Sequence, residues 1–381
     1  MYKVDNFING EASLDSSESS SIINPSYGTE IGEVLYATKD SANAAVESAY
    51  EASKAWAKTG LSFRAELILK FRQGIINKSV EIVDICVSEA GKTRPDAEAE
   101  LDRAVQALTH AAGVQHFFPT NYSQNVAGGI DIADLRFPIG VVAGVGPFNF
   151  PILIPILHSA MALVTGNTYI AKPSEKVPSI SRLYADIWKE AGLPDGCYNV
   201  LNGEKEIVEL LVRHEKVDGL AFIGSTGAAK SLKMLGVEYN TKVQALGGGK
   251  NHMIVLPDAD LDMSADAAVS ASFGAAGQRC MAVSVVVDVG DIADDLISKI
   301  QSRMPNLVMG VTDDEKTQLG PVISQVNKDR IYSFIDSAEP DGASLVVDGR
   351  HRSNSLEGCF VGPTLIAVSY THLTLPTTGI V

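Results

Sequence analysis

The cysteine with the most chemical setting is Cys280, in the run Gly274-Ala275-Ala276-Gly277-Gln278-Arg279-Cys280-Met281. Small residues let a ligand approach the sulfur closely, and the adjacent cation of Arg279 favours thiolate, the nucleophilic form, over thiol. The ordinary role of an isolated cysteine is that of a small buried hydrophobe, and Cys86 and Cys197, set among apolar positions, read that way. Cys359, between Gly358 and Phe360, carries no signal in either direction. The four have no CxxC or paired spacing, so neither a zinc site nor a disulfide framework is indicated. None of the seven histidines stands in a metal-ligand spacing such as HxxxH, and no metal is expected.

Three segments at the ends of apolar runs carry further chemistry. Ile223-Gly224-Ser225-Thr226-Gly227 turns from a strand into a helix, where free backbone N–H groups and the Ser225 hydroxyl suit a phosphate. It lacks the spacing of a Walker loop, and glycines at such turns often serve the turn alone. Ile170-Ala171-Lys172-Pro173-Ser174-Glu175-Lys176 puts Lys172 and Glu175 where they could bond ribose hydroxyls. The plainer reading is an exposed ion pair in a proline-bearing loop. In Gly144-Val145-Gly146-Pro147-Phe148-Asn149-Phe150-Pro151, two aromatics and two prolines restrict the Asn149 amide, as befits a preorganised donor to an oxyanion. Asn149 could equally cap a helix beginning at Pro151.

These segments need a scaffold that delivers them to one edge. A polar lead-in through Ser16–Ser21 and the turn Asn24-Pro25 precede helices expected at Ser41–Lys58, Ser62–Asn77 and Pro95–Phe117. Asn125–Phe137 reads as a strand pair around Gly128-Gly129, and Gly140–Val145 as a buried strand. Helices at Ile152–Leu163, Ser179–Ala191, Glu206–Arg213 and Ser225–Leu235 then alternate with strands at Thr168–Ala171, Tyr198–Leu201, Gly219–Phe222 and Val243–Leu246. Such alternation marks an α/β fold with a doubly wound, mainly parallel sheet. A second α/β segment follows: helix Asp262–Phe273, strand Val283–Val289, helix Ile292–Met304, and a closing pattern at Gly358–Leu365.

Composition narrows the function classes. The chain has 381 residues, 31 Lys+Arg against 46 Asp+Glu, a formal charge of −15 and 45% hydrophobic residues. Acidity without a basic block argues against nucleic acid or an anionic membrane surface as partner. No run approaches the roughly 18–20 apolar residues of a membrane helix, and Met1–Gly10 has no signal-peptide pattern, so a cytoplasmic location is expected.

Five motifs in one order resemble the aldehyde dehydrogenase superfamily: Pro147–Pro151, Lys172–Glu175, Phe222–Thr226, Gly247-Gly248-Gly249-Lys250 and Gly277–Cys280. The resemblance covers about residues 5 to 367 and implies an aldehyde dehydrogenase-like α/β fold. It implies a domain plan of 1–120 as the N-terminal part of the NAD-binding domain and 121–137 as an oligomerisation strand pair. In the same plan 138–246 is the Rossmann-type NAD-binding core, 247–368 an incomplete catalytic domain and 369–381 an anomalous tail. It further implies Cys280 as nucleophile, with Asn149 and the Cys280 N–H stabilising the oxyanion. Gly146, Phe148, Lys172, Glu175, Lys176, Ser225 and Gly247 line up with positions that hold NAD. Glu175 would discourage a 2′-phosphate while Lys176 could attract one, so the choice between NAD and NADP stays open.

In hydrolytic members a Glu acts as general base on water; here Leu246 stands at that position, which favours coenzyme A as acyl acceptor. Gly248–His252 with Gln278–Ala282 is similar to the CoA-acylating methylmalonate-semialdehyde (malonate-semialdehyde) dehydrogenases. Arg103 and Arg279 match positions that grip the substrate carboxylate there, where a bidentate guanidinium suits the task; a solvated pairing of Arg103 with Glu100 or Asp102 is the plainer alternative. The expected reaction is NAD-dependent oxidation of the semialdehyde, decarboxylation and release of acetyl-CoA or propionyl-CoA. A hydrolytic NAD(P)-dependent aldehyde dehydrogenase and a fragment without turnover are the alternatives, and a thiolase-like acyltransferase is disfavoured because no His-bearing motif accompanies Cys280. The family pattern implies a homodimer or homotetramer. The uncharged stretch Ser369–Val381 departs from that pattern and reads as a truncated or misjoined frame. From this, a poorly active, aggregation-prone chain with uncovered sheet edges is expected.

Overall fold

Short strands open the chain where the sequence suggests only a polar lead-in. They are β1 (Tyr2–Val4), β2 (Asn6–Ile8), β3 (Glu11–Ser13), β4 (Ser19–Asn24) and β5 (Thr29–Leu35). β1 to β3 have three residues each and β4 is half exposed and Ser-rich, so these four bury too little apolar surface to announce themselves by pattern. The computed structural model describes residues 1–16, 18–118, 120–353 and 355–368; the reading of 369–381 as an anomalous tail lies outside the described residues.

Helices α1 (Lys39–Trp56), α2 (Leu61–Asn77), α3 (Ser79–Ala90), α4 (Arg94–Ala112) and α5 (Val114–Phe117) follow. The expected helix Pro95–Phe117 is thus two, interrupted at Gly113, and α3 adds a helix that periodicity did not single out. A reciprocal capping box starts α1: the Ser41 N–H donates to Thr38 Oγ1 at 3.0 Å, and the Thr38 N–H donates to Ser41 Oγ at 2.8 Å. The hairpin β6 (Tyr122–Ala127) and β7 (Ile130–Ala133) is exposed along its whole length. Then come β8 (Val141–Val145), α6 (Leu153–Val164), β9 (Thr168–Lys172), α7 (Ser179–Ala191), β10 (Tyr198–Val200), α8 (Lys205–Arg213), β11 (Gly219–Ile223), α9 (Thr226–Tyr239) and β12 (Lys242–Leu246).

The chain divides into two units, the first comprising Met1–Ser21, Gly32–Ile82 and Glu100–Leu246. Its seven-stranded sheet has the order β12-β11-β8-β9-β10-β2-β3, parallel from β12 to β10 and antiparallel at β2 and β3. The chain steps outward from β8 to β9 and β10, then returns to the other side of β8 for β11 and β12. The strand order therefore reverses beside β8, the place where open α/β sheets bind ligands. On one face Val141, Ala143, Val145, Ile170, Leu220 and Phe222 pack with Ala42, Ala45, Val46 and Ala49 of α1 and Leu211 and Val212 of α8. Elsewhere in this unit, α2 and α7 meet through Phe71 stacked on Trp188, ring centroids 3.8 Å apart.

The second unit comprises Ile22–Ile31, Val83–Ala99 and Gly247 onward. It holds β13 (Asn251–Val255), α10 (Leu261–Phe273), β14 (Val283–Asp288), α11 (Ala293–Arg303), α12 (Gln325–Ala338), β15 (Ser344–Val347) and β16 (Leu365–Ala367). Parallel β13 and β14 are backed by Ala265, Ala268 and Val269 of α10 and by Leu296 and Ile300 of α11.

Candidate active site

Register brings the candidate segments of the first unit to one edge. Lys172 of β9 pairs with Val145 of β8, which pairs with Phe222 of β11, which pairs with Ala245 of β12. The loops that leave this row carry Gly146, Phe148 and Asn149 after β8, Glu175 and Lys176 after β9, and Ser225 after β11. Gly146 N–H donates to the Lys172 carbonyl at 3.1 Å, and Gly224 N–H to that of Leu246 at 3.1 Å, so the row stays tied one residue past the strands.

Each segment then has its own electrostatics. Ser225 is the N-cap of α9, its hydroxyl accepting from Ala228 N–H at 3.4 Å, and an added Cβ on Gly227 would meet nothing within 4 Å. An open helix N-terminus after a parallel strand fits the pyrophosphate of a dinucleotide. Lys172 is buried rather than part of an exposed pair: its side chain is 7% exposed and lies 3.8 Å from Glu175. Burial lowers its pKa, with Glu175 and Glu204 opposing. A buried ammonium beside a half-buried carboxylate suits neutral hydroxyl ligands such as those of a ribose.

The capping role considered for Asn149 falls to another group. Helix α6 begins at Leu153 with Ile152 as N-cap and no side-chain cap of its own. Instead Glu100 Oε1 accepts the N–H groups of Ile152 and Leu153, each at 2.8 Å, and Glu100 is 4% exposed. Nothing local in the sequence signals this, because the carboxylate comes from α4. Arg103 is exposed and donates to Gln106 Oε1 at 2.9 Å rather than pairing with Glu100 or Asp102.

In the second unit, Cys280 follows the turn Gly274–Gly277, where Ala275, Ala276 and Gly277 have φ of 51°, 54° and 73°. Side chains from separate segments hold what comes next. Gln278 Oε1 accepts from Ile323 N–H at 3.0 Å, and Asn251 Nδ2 donates to the Cys280 carbonyl at 2.8 Å. Arg279 pairs with Asp96, and an added Cβ on Gly274 would lie 2.6 Å from its Nη1. The Arg279 charge next to the thiol is thus shared with the Asp96 carboxylate of α4, far from it along the chain. Cys280 is exposed, while Cys86, Cys197 and Cys359 are buried. Burial pushes the Cys197 thiol up to about 12, with Asp195 adding to it. Gly247 and Leu246 are exposed at the β12 end. Among the described residues no group of His, Cys, Asp and Glu is placed to hold a metal, and no helix is long and apolar enough to cross a membrane.

Fold and motif order together define the class, an α/β oxidoreductase with the aldehyde dehydrogenase architecture. The chain belongs to the aldehyde dehydrogenase family, whose model matches residues 13–378. It is 39% identical over 363 residues to the malonate-semialdehyde dehydrogenase of Bacillus pumilus (strain SAFR-032), covering 94% of this chain and 74% of that one. The crystal structure of methylmalonate-semialdehyde dehydrogenase from Oceanimonas doudoroffii superimposes with a TM-score of 0.93 at 38% identity, covering 96% of this chain and 76% of that one. A Sinorhizobium meliloti 1021 protein assigned as a methylmalonate-semialdehyde dehydrogenase and complexed with NAD gives a TM-score of 0.92 at 39% identity, covering 96% and 75%.

Proposed function

We propose that this chain oxidises malonate or methylmalonate semialdehyde through a thioester on Cys280 and passes the acyl group to coenzyme A. The observation that carries the reading is that this chain has both an exposed thiol at Cys280 and an exposed leucine, Leu246, at the position where the family pattern has a water-activating carboxylate. The names of the relatives supply the substrate class. In this reading the thiolate of Cys280 adds to the aldehyde carbon, and the oxygen takes up the electron pair as an oxyanion. The Asn149 amide and the Cys280 N–H stabilise that charge. NAD, when bound, accepts the hydride that leaves the same carbon, and the carbonyl of a thioester forms. The thiolate of coenzyme A then displaces Cys280; the C–C bond to the substrate carboxylate breaks to release CO2, which water hydrates to bicarbonate, and its electron pair passes into a thioester enolate whose α-carbon takes a proton from water, giving acetyl-CoA or propionyl-CoA.

Residues of the first unit would hold NAD: Gly146 and Phe148 along the β8 loop, Lys172, Glu175 and Lys176 after β9, and Ser225 at the start of α9; Gly247, next along the chain after β12 and the first residue of the second unit's last segment, would join them. Arg103 and Arg279 would take the substrate carboxylate. Arg279 would share its five N–H groups between that carboxylate and Asp96. The first unit serves as the dinucleotide domain, the second as the catalytic one, and 121–137 as an oligomerisation hairpin of a cytoplasmic homodimer or homotetramer. Supporting the last point, Tyr122, Val126, Ile130 and Ile132 of the hairpin are 64%, 49%, 54% and 56% exposed, an apolar surface of the kind partners cover.

The test mixes the chain with NAD and methylmalonate semialdehyde, with and without coenzyme A. Propionyl-CoA formed together with NADH only in the first tube is expected. Equal turnover to a free acid in both tubes sinks the acyl-transfer step.

A further inference from the structure

Asn251 opens β13, and its side chain reaches the loop that carries the thiol. Its Nδ2 donates to the Cys280 carbonyl at 2.8 Å and to the Ala282 carbonyl at 2.9 Å, so both hydrogens of one amide nitrogen are used on the carbonyls flanking Met281. The β13–β14 register slips at this point: Asn251 pairs with Val283, but His252 pairs with Val285. The loop has reason to need an anchor. Ala275 and Ala276 sit at positive φ, a conformation that is strained for a non-glycine residue and persists only where its surroundings over-determine it. Upstream, Gln278 bonds to Pro321 and Ile323 and Arg279 to Asp96. Downstream, the Ala282 N–H returns to the Arg279 carbonyl at 3.0 Å. Among these contacts, the one made by a side chain to the backbone of Cys280 itself is that of Asn251.

We propose that Asn251 is a positioning residue for the nucleophile: by holding the Cys280 carbonyl it fixes the backbone torsion at Cys280 and so the line along which the sulfur meets a carbonyl carbon. The inference rests on the reading of Cys280 as nucleophile. Carbonyl addition demands a narrow approach, whereas SN2 alkylation of an exposed thiol is more tolerant, so a positioning role should separate the two reactions. A residue that only pins the strand pair would not separate them.

The experiment compares, in the full chain, acylation of Cys280 by p-nitrophenyl acetate with its alkylation by iodoacetamide. In the first reaction the thiolate attacks the ester carbonyl, expels p-nitrophenolate as a measurable burst, and is left as an acetyl thioester. For Asn251→Ala the burst rate should fall about 100-fold while alkylation stays within about threefold of wild type. Asn251→Ser, which keeps one donor, should fall between and also serves if the alanine variant does not fold. A burst within about threefold of wild type, or burst and alkylation falling together, overturns the role of Asn251. Cys280→Ala separates the two claims: if that variant keeps the wild-type burst, the reading of Cys280 itself fails, and Asn251 with it.

Discussion

At the residue scale, the thiol and its setting differ in how openly the sequence displays them. Cys280 stands out because small residues and a cation surround it, and it is the exposed member of the four cysteines. The partners that hold its loop are silent in sequence: Asp96 and Asn251 lie far from it along the chain, and their contact depends on the fold. Leu246 is legible as a departure from the family pattern, and its 51% exposure makes a charged replacement tolerable. Leu246→Glu should therefore supply the missing base. NADH formation without coenzyme A is expected to rise about 100-fold, the low end of what a placed general base gives, with free acid as product. An unchanged coenzyme A requirement in that variant would mean that something other than Leu246 keeps water from the thioester.

At the element scale, the alternation from β8 to β12 is readable because each strand is a short apolar run followed by a turn and an amphipathic helix. The first five strands are not, since three of them have only three residues and their sides are mixed. Helix starts show the same division. Thr38 and Ser41 mark α1 locally, whereas α6 is capped by Glu100 from another helix. That cap invites a stability test. Glu100→Ala leaves the Ile152 and Leu153 N–H groups without their acceptor in a buried setting, each such loss costing about 1–3 kcal/mol. A loss of about 2–6 kcal/mol is expected in urea unfolding, seen as a lower midpoint at unchanged slope. Because α6 follows the Asn149 loop, the same variant should also slow aldehyde oxidation more than it changes the affinity for NAD. A midpoint equal to wild type would show that water or another group caps the helix as well.

At the scale of the whole molecule, the formal charge of −15 suggests that acid should be tolerated as the carboxylates neutralise. A largely buried imidazole opposes this. His158 lies on α6, its Nδ1 has no hydrogen-bond partner among the described residues, and burial lowers its pKa to about 4. In the unfolded chain the ring takes up a proton near pH 6.5; in the folded protein it resists until about pH 4. Between these values the unfolded state binds more protons, so stability rises with pH and is lost as pH falls from 6.5 toward 4. At pH 4.5 the loss from this one group is on the order of 2 kcal/mol. Carboxylates held low act in a different window: Arg350 holds Asp348 near pH 2, so that pair weakens only below the ordinary carboxylate range. His158→Leu puts an apolar side chain of similar size on α6 and removes the proton site. Urea midpoints of wild type and variant should therefore converge on moving from pH 4.5 to pH 7, the variant being relatively more stable at the acid end. Parallel loss in both proteins over that range would assign the acid sensitivity to other groups.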